Sequence, residues 1–239
     1  MQSWSVGILC YNEGPTIERV VLETYEVLKQ MTDTFEIIVV DDYSTDGSRE
    51  KAQELAKKYP EVKVVAHDVN KGIGAGLRSV YANARYENIS VIAGDGQFDV
   101  KEYIPYPEVP KDHFISYYRV ENTTYTPFRN LLSYLNKKLN KMLLGINIRD
   151  VNWAKVYKKA DIDKLDLQLQ SSLVESEIFA KLIFHGKKVI DVKSKYLPRT
   201  HGESKGGSAG IVKKAISDIT NLVKVMRKYK SNYRKSKVS

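Results

Sequence analysis

The sequence predicts an α/β domain, a mostly parallel sheet flanked by helices, and two observations carry that prediction. Short β-branched apolar runs alternate with stretches whose apolar residues recur every three or four positions, the pattern of βαβ units. The chain of 239 residues, 42% of them hydrophobic, is long enough to bury one large core and shows no internal repeat.

The first strand reads as Trp4–Cys10, and a helix over Thr16–Gln30 follows. Ile17, Val20, Val21, Tyr25 and Leu28 would face the sheet from that helix. Phe35–Val40 is the second strand. The next helix spans Gly47–Tyr59, with Asp46 as its cap and Pro60 as its stop. Val62–Ala66, a helix over Gly74–Ala84 and Ile89–Ala93 complete the alternation. Further strands fall near Phe114–Tyr118, Trp153–Tyr157 and Lys188–Val192. Prolines 105, 107 and 110 mark an irregular crossing, and helices are expected over Arg129–Leu144 and Ser172–His185, the latter closed by Gly186. His201–Gly210, rich in glycine and serine, reads as a mobile loop.

Composition narrows the classes. The single cysteine, Cys10, excludes a disulfide framework and a multi-thiolate metal site, and its apolar setting marks it as a small core residue. The amino end lacks a basic segment followed by an apolar one, and no run approaches the roughly 18–20 apolar residues that span a bilayer. A soluble or peripheral protein in a reducing compartment is expected. The formal charge of +9 is concentrated after Ile211, where nine Lys or Arg residues meet one acid, Asp218. Residues 1–210 therefore read as one domain, and residues 211–239 as a basic amphipathic helix and tail.

In open α/β sheets ligands gather beyond the carboxyl ends of the strands. Three of the first four strands end there in polar or glycine-bearing sequence: Tyr11-Asn12-Glu13-Gly14, Asp41–Ser48, and Gly94-Asp95-Gly96-Gln97-Phe98-Asp99. Asn70–Gly76 follows the third, and its glycines let backbone approach a ligand. Because that glycine run is not in the first βα turn, a Rossmann dehydrogenase is unlike this pattern, and no Walker lysine motif is present.

In order and spacing, this set resembles the family-2 glycosyltransferases of GT-A fold, which are Rossmann-like. The resemblance implies that residues 1–100 bind a nucleotide sugar through Tyr11, Glu13, Asp42, Lys71 and Gly94, Asp42 accepting a ring N–H of the base and Tyr11 packing against it. GDP-mannose and UDP-glucose stay open as donors, since guanine and uracil both offer that N–H. The family commonly places two aspartates one residue apart at the metal site. Here Asp95 and Gln97 match the second aspartate and a following glutamine, but Ala93 replaces the first. The implied cofactor is Mg²⁺ or Mn²⁺, held by Asp95 and Gln97 with water and diphosphate completing the sphere. Asp99 is read as a cap of the next helical turn.

The second half, residues 101–210, narrows the resemblance. Phe114–Arg119, Phe128–Ser133, Arg149–Tyr157 and Arg199–Lys205 look like dolichyl-phosphate mannose synthases and their polyprenyl-phosphate relatives. That likeness implies a hexosyltransferase with inversion and a polyprenyl phosphate acceptor. Arg119, Arg129 and Arg199 would hold the phosphates, Lys205 would close over them, and Asp95 would serve the transfer. Planar guanidinium groups suit two phosphorylated substrates. A phosphate with a second pKa of about 6 needs no strong base, so neither a Ser–His–Asp arrangement nor a glycosidase-like carboxylate pair is expected, and no histidine is assigned a role. Glu177 stays open between positioning the acceptor or ordering Arg199 and a structural ion pair, and Asp150 and Glu175 are left without an assigned role.

For the tail, two readings stand: a helix packed on the domain, or one lying on an anionic membrane, directly or through an anchoring partner. Nucleic acid is not an expected partner, because no matching signature accompanies the charge. Peripheral location at the cytoplasmic membrane face is expected. A saccharide acceptor, and a catalytically weak donor-binding subunit suggested by Ala93, are the competing functions.

Overall fold

The computed structural model describes residues 1–120, 149–150, 153–171, 173–198 and 209–236, with side chains of the last segment described at residues 220–233 and 235. The helix expected over Arg129–Leu144 lies outside the described residues.

Seven strands form one sheet in the order β3-β2-β1-β4-β6-β5-β7. The first half alternates β1 (Trp4–Cys10), α1 (Ile17–Met31), β2 (Phe35–Asp41), α2 (Ser48–Lys58), β3 (Val62–Ala66), α3 (Ile73–Asn83) and β4 (Asn88–Ala93). These four strands are parallel. The chain steps outward from β1 to β3 and then returns to place β4 on the other side of β1. That reversal opens a crevice at the carboxyl ends of β1 and β4.

In the second half come β5 (His113–Arg119), β6 (Lys155–Lys158), a single turn α4 (Lys159–Ile162), α5 (Val174–Phe184), β7 (Lys188–Ser194) and α6 (Ala209–Ser236). β6 runs antiparallel to both β4 and β5, whereas β5 and β7 pair in parallel. The mostly parallel sheet predicted from the alternation is thus interrupted once.

Both faces of the sheet are covered, which is why the central strands read as continuous apolar runs. Trp4, Val6, Ile8, Ile37 and Val39 pack in one core with α1 and α2, while Ile38 and Val40 join a second with α3, α5 and α6. Alternate residues of β2 divide between the two layers, as the pleat requires. On β1, a side chain at Gly7 would collide with Val80, so α3 lies close against the strand.

Boundaries shift by small amounts from the sequence reading. α2 starts at Ser48 because Gly47 turns left-handed at φ 85°, while Asp46 Oδ1 accepts the Ser48 N–H at 3.1 Å. Asp99 accepts the Lys101 N–H and caps a 3₁₀ turn over Val100–Tyr103. Gly186, at φ 80°, ends α5. β6 begins at Lys155 rather than Trp153, and the Trp153 indole donates to Ser194 Oγ at 2.6 Å.

Candidate active site

Register brings the site together. Cys10 pairs with Asp41, Asp41 with Ala66, and Leu9 with Ala93, so the four parallel strands finish nearly level. The ladder then runs one step further. Asp42 N–H donates to Cys10 O, His67 N–H to Asp41 O, and Gly94 N–H to Leu9 O, each at 2.8 Å. Tyr11, Asp42, His67 and Gly94 therefore line one rim of the sheet.

Two residues on that rim occupy left-handed backbone without being glycine, Asn12 at φ 57° and Tyr43 at φ 69°. Such conformations persist only where surroundings over-determine them. Here the β1 and β2 loops are laced together: Asn12 N–H donates to Ser44 Oγ at 2.9 Å and Thr45 N–H to Asn12 Oδ1 at 2.9 Å. Glu13 N–H meets Ser48 Oγ at 2.9 Å, and Gly14 N–H meets Asp46 Oδ2 at 2.8 Å. The strain leaves the rings of Tyr11 and Tyr43 exposed, 39% and 48% respectively.

The two adjacent aspartates divide their work. Asp41 is fully buried and takes Arg49 Nε on Oδ2 at 2.7 Å, while Arg49 Nη2 reaches His67 O at 2.8 Å. Asp42 turns the other way. Its Oδ1 accepts the Lys71 N–H at 2.8 Å and its Oδ2 the Gly72 N–H at 2.8 Å. Gly72 sits at φ 81°, ψ 170°, a region essentially reserved for glycine. The exposed Lys71 thus meets Asp42 through its backbone N–H. Asp42 also shares Oδ1 with His67 Nδ1 at 2.7 Å, and His67 Nε2 lies 2.8 Å from Ser79 Oγ.

This Ser79–His67–Asp42 chain corrects the expectation that no such arrangement would be found. Its cause is the register of β3, which sets residue 67 beside residue 42; the spacing in sequence gives no sign of it. Its carboxylate end, and not its serine, faces the glycine loop, so it orients Asp42. His67 is the residue that sequence reasoning missed.

Across β1, Thr16 Oγ1 donates to Gly94 O at 2.8 Å and holds the β4 loop to the β1 loop that carries Glu13. Asp95 is half-buried, and its Oδ1 accepts the Gln97 N–H at 3.1 Å. Gln97 Nε2 donates to Tyr196 Oη at 2.5 Å, and Leu197 N–H to Gln97 O at 3.0 Å. The glutamine's amide nitrogen is thereby spent on the segment that leads to residue 199, and its oxygen is the atom that suits a cation. Among the described residues no three His, Cys, Asp or Glu side chains converge as a metal cluster. One carboxylate and one amide oxygen fit a hard cation that retains waters and borrows substrate phosphate.

Arg119 is paired inside the protein. Its side chain is only 9% exposed and donates to Asp150 from Nε at 2.7 Å and Nη2 at 2.9 Å. The Trp153 ring lies 4.6 Å from the guanidinium carbon and the Tyr196 ring 5.6 Å. Arg119 thus serves a carboxylate and two rings. Burial alone would raise the Asp150 carboxyl, but the hydrogen bonds and charge of Arg119 outweigh it and hold the group below the usual carboxylate range.

The three acids Asp150, Glu175 and Glu177 are each bonded within the protein. Glu177 is fully buried, bonded to Lys181 Nζ at 2.6 Å and to the Leu169 N–H at 2.8 Å. Glu175 accepts from Tyr81 and, at 2.8 Å, from Tyr157. Burial pulls the nearby Lys155 ammonium below the usual lysine range, although Glu175 lies 3.8 Å away. Burial likewise pushes the Cys10 thiol up to about 12, which suits its reading as a core residue. Arg129, Arg199 and Lys205 lie outside the described residues.

Residues 5–106 match the family described as glycosyl transferase family 2. A dolichol-phosphate mannosyltransferase of Pyrococcus furiosus is 28% identical over 215 residues, covering 84% of this chain and 58% of that protein. A polyprenol monophosphomannose synthase of Mycolicibacterium smegmatis is 26% identical over 220 residues, 86% of this chain and 82% of that one. A dolichyl-phosphate beta-glucosyltransferase of Trichomonas vaginalis aligns over 104 residues at 28% identity, 41% of this chain and 32% of its own length. Among solved structures, glucosyl-3-phosphoglycerate synthase of Mycobacterium tuberculosis, in complex with Mn²⁺, UDP and phosphoglyceric acid, superposes with TM-score 0.69 at 15% identity, over 93% of this chain and 78% of that one. Mannosyl-3-phosphoglycerate synthase of Rubrobacter xylanophilus gives TM-score 0.67 at 16% identity, over 98% and 75%. At such identities these two matches speak to the fold, which is GT-A. The strand-end loops that share one rim, residues 11–14, 41–48 and 94–99, all lie within residues 5–106, the stretch that matches glycosyl transferase family 2, and the chain spans less than two thirds of the length of several of the curated relatives it matches.

Proposed function

We propose that the chain moves a hexose from a nucleoside diphosphate sugar, GDP-mannose or UDP-glucose, to a polyprenyl phosphate, with inversion at the anomeric carbon. The observation that carries this reading is the common rim of Tyr11, Asp42 and Gly94-Asp95, a pocket edge with an aromatic face, an acceptor for a base N–H and a hard oxygen ligand for the diphosphate. The names of the polyprenyl-phosphate relatives support the choice of acceptor.

In this reading Tyr11 packs on the base and Asp42 accepts its N–H, while Glu13, Lys71 and Gly94 line the approach. Asp95 and Gln97 would hold Mg²⁺ or Mn²⁺, which would offset charge on the departing diphosphate. A phosphate oxygen of the acceptor forms the new bond to the anomeric carbon as the bond to the donor's diphosphate breaks. The acceptor, ionised above about pH 6, brings no proton to be removed. Arg129, Arg199 and Lys205 are assigned to the two phosphates. Arg119 acts on them from its Asp150 pair, by shaping the Gln97–Tyr196 wall. The basic α6 holds the enzyme at the cytoplasmic face of a membrane, itself or with an anchoring partner.

The test is turnover with each donor and a polyprenyl phosphate in Mg²⁺ or Mn²⁺, for the native chain and Asp95→Asn. Loss of a charged metal ligand should cost about 100-fold or more in kcat with the melting temperature unchanged. Full turnover in EDTA would remove the metal, and transfer to free saccharide in preference to polyprenyl phosphate would replace the acceptor. Ala93, which ends β4 where a second aspartate would strengthen the site, favours one other reading, a subunit that binds nucleotide sugar without transferring it. Nucleotide binding with no turnover on any acceptor would select it.

A further inference from the structure

Asp42 has one feature that the transferase reading does not use. Its carboxylate is held by three donors from the loop that joins β3 to α3: the backbone N–H groups of Lys71 and Gly72, and the imidazole of His67. His67 is 6% exposed and Asp42 8%. A carboxylate only accepts, so Nδ1 carries a proton, and Nε2 shares a hydrogen bond with Ser79 Oγ at 2.8 Å. The main chain of His67 is pinned as well, its N–H on Asp41 O at 2.8 Å and its C=O under Arg49 Nη2 at 2.8 Å. Neither the ring nor the backbone of His67 is left to turn.

We propose that His67, itself held by Ser79, is the positioning residue that locks Asp42 as a rigid hydrogen-bond acceptor, and that this lock makes the pocket select nucleotide bases presenting a ring N–H. Uracil and guanine present one. Cytosine and adenine present a ring nitrogen lone pair at the equivalent edge, which a fixed carboxylate oxygen repels. An unlocked carboxylate can rotate away from that lone pair and accept from the neighbouring amino group instead. Discrimination is greatest where a buried polar group has no second way to be satisfied. The inference rests on the reading of Asp42 as the base contact.

Two substitutions separate the imidazole's atoms. Asparagine sets its amide nitrogen where His67 has Nδ1, and glutamine sets its own near Nε2. His67→Asn keeps the donor to Asp42; His67→Gln keeps the atom near Ser79 and loses that donor. Calorimetric titration of the full chain with UDP, CDP, GDP and ADP in Mn²⁺ reads the Kd ratios CDP/UDP and ADP/GDP, independently of turnover. The native chain should favour an N–H base by about tenfold or more. His67→Gln should bring that ratio down to within about threefold, and His67→Asn should restore most of it. Ser79→Ala, a smaller change, should narrow the ratio in the same direction. If the native chain binds none of the four nucleotides, the functional reading fails. If it discriminates and His67→Gln and Ser79→Ala discriminate equally well, the lock is wrong and the reading stands. Equal loss in His67→Asn and His67→Gln, with lowered melting temperatures in both, would make His67 a packing residue only.

Discussion

Asp150 and Arg119 form a pair that is nearly closed to solvent, and the direction of its acid dependence can be worked out. Because Arg119 holds the folded Asp150 carboxyl below its ordinary value, the pair stabilises the fold above about pH 4, and that contribution is lost as pH falls through the folded value. Asp150→Asn leaves the guanidinium buried without a counter-charge, at a cost of about 3 kcal/mol near neutral pH. Urea unfolding should show this gap at pH 7 and a narrower one at pH 3. A gap independent of pH would mean that the packing of Trp153 and Tyr196, not the charge, supports this wall. Gly72 makes a second residue-scale case. A Cβ there meets nothing within 4 Å, so Gly72→Ala tests backbone strain alone. It should cost about 1–3 kcal/mol and weaken nucleoside diphosphate binding, since the N–H that holds Asp42 turns with it. Unchanged melting temperature and Kd would show that another conformation serves equally well.

At the scale of elements, α6 is the informative one. Leu222 and Met226 are buried in the core shared with α3 and α5, and the Tyr229 hydroxyl lies 2.7 Å from His185 Nε2. The rings of Tyr229 and Tyr233 pack on Phe184, and Lys181 Nζ lies 4.4 Å from the centre of the Tyr229 ring. This stretch is therefore docked on the domain. Leu222→Ala should remove about 2–5 kcal/mol from that docking. Hydrogen exchange should then report lost protection over residues 220–236, with β1, β2 and β4 still protected. Uniform loss across the sheet would show instead that α6 and the sheet unfold as one unit. Lys224, Arg227 and Lys228 are exposed on the same helix, so docking and a basic outer face coexist. The two readings of the tail sequence are compatible along this stretch.

For the whole molecule, charge asymmetry is the feature with consequences. The basic residues after Ile211 account for nearly all of the net +9. No helix among the described residues is long and apolar enough to cross a membrane. Flotation with vesicles containing anionic lipid should recover the protein at low salt and lose it as salt rises. Replacing Lys224, Arg227 and Lys228 together by Gln should weaken that recovery by about 3 kcal/mol, roughly a hundredfold in partitioning. Equal recovery on neutral vesicles would sink the electrostatic version of membrane contact.

Local pattern was enough for the elements of the first half. Hydrophobic period and turn chemistry act within ten or fifteen residues, so β1 to β4, their helices, the Asp99 cap and the Gly186 stop were all legible from the chain. The strand-end aspartates were legible for the same reason, because a polar residue closing an apolar run marks the end of a strand. Partnership was not legible. His67 meets Asp42 across 25 residues, and Arg119 meets Asp150 across 31, through register and strand order that no local spacing encodes. Arg119 stood in a phosphate-binding pattern, yet the antiparallel insertion of β6 brings Trp153 onto its guanidinium, with Asp150 close by, and the charge is satisfied inside the protein. Sequence by itself determined which side chains reach the rim of the sheet; tertiary structure decided which of them are already bonded to one another, because a hydrogen bond depends on distance in space and the sheet sets that distance.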